Sequence, residues 1–292
     1  MQKLKVVFTD SGLGGLTIMA DFAKLAKNHN LGVDLIYFNA QHSEGFGYKK
    51  MDSKTQVEVF NRALLSMDKQ FKPDIIAIAC NTLSVVYLRS DFYKKSNTKI
   101  LDIIETGKSL IDSSENNTII EVAMPTTIES GVYSSKNKQI VAIASDTSLP
   151  GAVENDNVTK KDLILNQVFT EVRSELIKRD LSGEKTDLFL GCTHFPVIKD
   201  EFISFAKKFG IKINTLLNPN TKFSQLILEE LLQEKEQSTP NMTDNSSPDK
   251  VKVISRLEFN ELEIRNISAI VEKQSPETAE ALRNYEYNPE LF

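Results

Sequence analysis

The chain has 292 residues, a formal charge of −5 and 40% hydrophobic content, enough for one large domain or two of ordinary size around a sizeable core. Its 35 basic residues are spread along the chain and outnumbered by 40 acidic ones, so a nucleic-acid or acidic-membrane partner has little electrostatic support. No run approaches the ~18 apolar residues of a membrane span, the first apolar run is too short for a signal peptide, and two cysteines suit a reducing cytoplasm, with a disulfide between them left open by counting alone.

In chain order the pattern is strand then helix, repeatedly. "LKVVFTD" reads as a strand, and "SGLGGLTIMADFAKLAK" as a glycine turn opening a helix. "VDLIYFN" is a second strand, followed by the polar glycine loop "AQHSEGFGYKKMDS" and the helix "KTQVEVFNRALLSMDKQF". "DIIAIAC" is a buried strand, and "KILDII", "TIIEVAM" and "QIVAIAS" follow as further strands. "KKDLILNQVFTEVRSELIKRD" carries apolar residues at helical spacing, "TDLFLGC" is a strand, and "KDEFISFAKKFG" is a helix stopped by Gly210. Such alternation predicts an α/β protein with mainly parallel sheets. Residues 233–250 break the rhythm, being polar with two prolines and no apolar run, and read as a mobile loop. "VKVISRLEF" then supplies one last strand. No short tandem repeat is visible.

The two cysteines fall in similar settings, "DIIAIACNTLSV" and "LFLGCTHFPV". Each ends an apolar strand and is followed by polar residues. Parallel sheets gather ligands beyond the carboxyl ends of their strands, and Asp10, Cys80 and Cys192 sit at such ends. A thiol ionises near enough to neutrality to serve as base or acid, so two thiols flanking one carbon would invert it. Asp10 would then assist Cys80, and His194 would assist Cys192. Spacing equally allows two buried cysteines acting as small hydrophobes. The polar neighbours Asn81, Thr82, Thr193 and His194 favour function. The glycines at 12, 14 and 15 do not form G-x-G-x-x-G and lack the P-loop lysine, so an ordinary tight turn is the simpler reading. His29 and His42 have no metal-ligand spacing with His194.

Four stretches in order resemble the glutamate racemases, within the cofactor-independent aspartate/glutamate racemase superfamily. "FTDSGLGGLTIM" is similar to that family's F-D-S-G-x-G-G-L opening, with Thr9 inserted. "ACNT" (79–82) and "GCTHFP" (191–196) resemble its two cysteine motifs, and "TTIESGVY" (126–133) its threonine–serine segment. The matches run from about residue 6 to about 200.

The resemblance implies two similar α/β domains with the active site between them, the first formed by 1–97 plus 212–292 and the second by 98–211. It implies a glutamate racemase that needs no pyridoxal phosphate and no metal. Cys80 and Cys192 would be the acid–base thiols, Asp10 would assist the first, and His194 with Glu154 the second. Ser11, Asn81, Thr82, Thr127 and Thr193 fall where the family holds the ammonium and carboxylates of the amino acid. Phe46 and Gly47 fall where it holds the side-chain carboxylate. Gly45-Phe46-Gly47 stands where Pro-Tyr-Gly is usual, and Glu105-Thr106 where a proline–glycine turn is frequent. The implied product, D-glutamate, is a peptidoglycan precursor made in the cytoplasm. The implied partner is the amino-acid substrate, with no nucleic acid and no membrane, and a homodimer stays open. Aspartate or another acidic amino acid is the alternative substrate. An inactive binding or regulatory homologue is a second alternative. A cysteine hydrolase would leave Cys80 and Asp10 without a role.

Overall fold

The computed structural model describes residues 4–43, 47–238 and 250–292. Ten strands are found among these residues: β1 (Leu4–Asp10), β2 (Val33–Asn39), β3 (Ile75–Ile78), β4 (Lys99–Asp102), β5 (Thr118–Ala123), β6 (Gln139–Ala144), β7 (Thr186–Gly191), β8 (Ile213–Leu217), β9 (Val251–Ser255) and β10 (Glu286–Tyr287). They form two sheets, in the orders β10-β9-β2-β1-β3-β4 and β6-β5-β7-β8, and all pairings are parallel. The expected α/β class with parallel sheets is what forms. The chain divides into two compact units, 1–103 with 220–292, and 104–219.

In the first unit the sheet is covered on both faces, which explains why its strands read as nearly continuous apolar runs. Alternate residues serve opposite cores. Val6, Phe8, Leu35, Tyr37, Ile75 and Ala77 pack with the helices Gly15–Asn28 and Glu261–Val271. Val7, Ile36, Phe38, Ile76 and Ile78 pack with the helix Ser53–Phe71. That helix starts at Asp52, whose side chain accepts from the Thr55 N–H at 2.8 Å, satisfying a helix-end donor. The predicted last strand is β9, and it joins β2. Part of the 233–250 reading needs correction. The helix Pro219–Ser238 runs six residues into it, carried by Phe223, Ile227 and Leu231 buried upstream, while 239–249 lie outside the described residues.

In the second unit Ile120, Val122, Val141, Ile143, Leu188 and Leu190 face a core shared with Leu165, Phe169, Val172 and Phe202. These last four lie on the helices Val158–Lys178 and Lys199–Lys208. Phe189, on the opposite face, stacks edge-on against Tyr133 with ring centroids 4.6 Å apart. Where the sequence suggests crossings near 98 and 211, β4 stays with the first sheet by pairing with β3, and β8 stays with the second by pairing with β7. Among the described residues no helix is long and apolar enough to cross a membrane.

Candidate active site

Each sheet has a place at its centre where the strand order reverses. In the first, β1 leads to β2 on one side and β3 follows on the other; in the second, β5 leads to β6 on one side and β7 follows on the other. Such a switch point opens a crevice beyond the carboxyl ends of the two central strands. Cys80 comes two residues after β3 and Cys192 directly after β7. Each unit therefore delivers its one cysteine to its own switch point.

In the first unit, pairing carries past the end of β3, where the Ala79 N–H donates to the Thr9 carbonyl at 2.9 Å. Cys80 follows as the N-cap of the helix Asn81–Tyr87, its sulfur accepting from the Leu83 N–H at 3.5 Å. The Ser11 hydroxyl lies 3.3 Å from that sulfur. Burial raises the Cys80 thiol well above its ordinary range, the Asp10 charge raises it further, and the contacts with Ser11 and Leu83 oppose this. Asp10 is itself buried at the end of β1. The turn after it is fixed at the Gly12 carbonyl, which accepts from the Tyr37 hydroxyl at 2.7 Å and the Asn39 amide at 2.9 Å. A Cβ at Gly15 would meet Asp10 Cβ and Oδ2 at 2.9 Å, so a bare backbone is what lets the helix start so close to the carboxylate. Asn81 and Thr82 open the helix that follows the thiol.

Gly47 has φ +41° and donates its N–H to the Ser43 carbonyl at 3.3 Å. A carboxylate held by that amide has to displace this long bond. Phe46 lies outside the described residues. Tyr48 is a residue that sequence reasoning missed. It is buried with no partner for its hydroxyl, which burial and the Cys80 charge both push upward in pKa. The resemblance marks its neighbour Gly47, and nothing in a single loop tyrosine marks Tyr48 as buried.

In the second unit Cys192, Thr193 and His194 follow β7 in the tight segment leading into the turn Phe195–Ile198. A Cβ at Gly191 would meet Ala123 Cβ at 2.7 Å, so β5 and β7 close up here only because this residue is glycine. The His194 ring lies between two partners, Nδ1 at 3.8 Å from the Cys192 sulfur and Nε2 at 2.7 Å from Glu154 Oε1. The Thr193 hydroxyl is 3.4 Å from Nδ1. Burial disfavours the imidazolium, but the Glu154 charge and the contact with Cys192 outweigh it and raise His194 well above the usual imidazole range. Glu154 ends the short helix Leu149–Glu154, which brings its carboxylate to His194. Thr127, at the start of the segment after β5, is fully buried with no partner for its hydroxyl. A buried hydroxyl of this kind is costly unless a ligand satisfies it.

The predicted residues therefore fall into two clusters, Asp10, Ser11, Cys80, Asn81 and Thr82 in one unit and Thr127, Glu154, Cys192, Thr193 and His194 in the other.

No family model matches the chain. A curated glutamate racemase from Aquifex pyrophilus is 29% identical over 203 residues, covering 69% of this chain and 75% of its own length. Among solved structures, the glutamate racemase from Francisella tularensis, determined in complex with D-glutamate, aligns with a TM-score of 0.71 at 23% identity, covering 93% of this chain and 94% of that one. An aspartate racemase from Picrophilus torridus aligns with a TM-score of 0.52 at 17% identity, covering 78% and 94%. In class, the chain is a relative of the amino-acid racemases, which are isomerases. Within that class the resemblance read from the four motifs is borne out: the relatives are glutamate racemases, with aspartate racemase more distant.

Proposed function

We propose that the protein interconverts L- and D-glutamate by a two-thiol mechanism, with Cys80 and Cys192 serving opposite faces of the α-carbon. The observation that carries this reading is the unlike preparation of the two sulfurs. Burial and Asp10 hold Cys80 in its protonated form, whereas an imidazolium backed by Glu154 faces Cys192. Cys80 is prepared to give a proton, and the second thiol has a charged acid–base partner beside it, the kind of support that proton transfer at carbon requires.

In a turnover, a thiolate takes the α-proton and the C–H electron pair moves into the adjoining carboxylate. The opposite thiol then gives its proton to the other face of the carbon. The two sulfurs have exchanged protonation, and the reverse reaction begins from that state. Ser11, Asn81, Thr82, Thr127 and Thr193 would hold the ammonium and α-carboxylate, with the unspent Thr127 hydroxyl the clearest vacancy for an acceptor. Phe46 and Gly47 would meet the side-chain carboxylate. The D-glutamate bound in the Francisella relative supports glutamate as substrate. The D-glutamate made would serve peptidoglycan synthesis in the cytoplasm.

The test is to incubate the purified protein, without added cofactor, with L-glutamate, D-glutamate and L-aspartate separately and to follow optical rotation. Both glutamate solutions should decay to zero rotation. Faster loss of rotation with aspartate would remove the glutamate assignment and leave the racemase class, and no change with any of them would remove both. Cys80→Ala and Cys192→Ala should each lower racemisation by about 10²–10⁴-fold, the usual contribution of a positioned acid or base.

A further inference from the structure

Lys161 is a buried cation in an unfavourable place. Its side chain is 8% exposed, and it lies in the first turn of the helix Val158–Lys178, where the helix dipole opposes positive charge. Its ammonium donates to Asp156 Oδ1 at 2.8 Å and lies 3.7 Å from Glu201 Oε1. Those carboxylates are 65% and 39% exposed, so water weakens the attraction while the lysine bears most of the desolvation. For stability alone an apolar side chain of similar volume would do as well or better.

The placement of the two carboxylates suggests another reason. Asp156 is two residues after Glu154, in a left-handed backbone conformation (φ 46°) at the link between two helices. Glu201 lies in the first turn of the helix Lys199–Lys208, which follows His194 through the turn Phe195–Ile198. One buried cation thus joins the segment that carries Glu154 to the segment that carries His194. We propose that Lys161 is a positioning residue: by clamping Asp156 and Glu201 it sets the separation of Glu154 and His194 and so aims the imidazole at Cys192. Its effect on turnover rests on the two-thiol reading, but its effect on the histidine does not.

The experiment follows the histidines directly by NMR. The protein contains three, so labelling them with ¹⁵N and comparing wild type with His194→Gln identifies the His194 ring signals. In Lys161→Met the His194 titration midpoint should fall by about one unit or more, as expected when a carboxylate at close range is released. Lys161→Arg should recover most of that shift, and glutamate kcat should fall with KM little changed. Asp156→Asn and Glu201→Gln remove exposed partners, keep the core intact, and should each produce part of the same shift if Lys161→Met does not fold. A folded Lys161→Met, or both single carboxylate variants, with an unchanged His194 titration would overturn the proposal, even where melting temperature drops. Failure of the racemase reading would instead appear as a wild type without turnover but with its His194 titration sensitive to Lys161.

Discussion

Glu154 and His194 stand 40 positions apart in sequence and 2.7 Å apart in space, and their ion pair ties the protonation of the imidazole to the carboxylate. The carboxylate raises His194, so Glu154→Gln should lower it. On the proposed two-thiol mechanism the alkaline limb of the activity profile marks loss of the imidazolium, and it should then move to lower pH by about one unit or more, as measured from kcat/KM against pH. Stability follows the same sign. A raised imidazole stabilises the fold fully below its ordinary range and loses this as pH rises through the folded value, so Glu154→Gln should be most destabilising in acid. Glu121 shows the opposite case, a charge with nothing to hold it. Buried in β5 with Oε1 unpartnered, its carboxyl is raised by burial to about 7. The unfolded chain releases this proton near 4.5 and the folded one near 7, so stability falls as pH rises across that window. Glu121→Gln should flatten that fall and stabilise the protein above pH 7 by up to about 3 kcal/mol at about 1.4 kcal/mol per unit, read from denaturant midpoints at pH 5 and pH 8.

At the scale of elements, the approach of the helix Gly15–Asn28 to the end of β1 is the critical contact. Gly15→Ala would put a methyl group 2.9 Å from the Asp10 carboxylate, and either the helix or Asp10 must move. The expected result is a fall in kcat of about 10²-fold, the scale of a misplacement near 1 Å, with KM less affected; steady-state kinetics on glutamate measures both. Much of this level was legible beforehand because it rests on local signals. Apolar runs marked β1, β2, β3, β5 and β7, and the glycines after β1 marked a turn. The helix extension to Ser238 was not legible: "QEKEQS" has no apolar residue to signal a core-facing stripe, and it continues a helix anchored further upstream. The site divides in the same way. Cys80, Cys192 and His194 stood out by rarity and by their place after strands, whereas Tyr48 and Lys161 matter through burial. A single sequence carries no mark of a lysine that is buried between Asp156 and Glu201.

At the scale of the whole molecule, the chain builds one arrangement twice: a parallel sheet, a reversal of strand order, and a cysteine at the reversal. The sheets differ in number of strands and in covering helices, so the likeness lies in topology at the crevice. That likeness ends at the sulfurs. Cys80 is surrounded by a hydroxyl, a helix N–H and a carboxylate, and Cys192 has a cationic ring beside it. To an electrophile the two positions are therefore chemically distinct, although their exposures are nearly equal at 7% and 6%. Alkylation depends on the thiolate, which burial and Asp10 suppress at Cys80, so a small haloacetamide at neutral pH should leave Cys80 largely unmodified, as peptide mass mapping over a time course would record. A warhead directed at this protein would accordingly find one of two similarly buried sulfurs shielded from it by a proton, because burial and the Asp10 charge keep the Cys80 thiol from ionising.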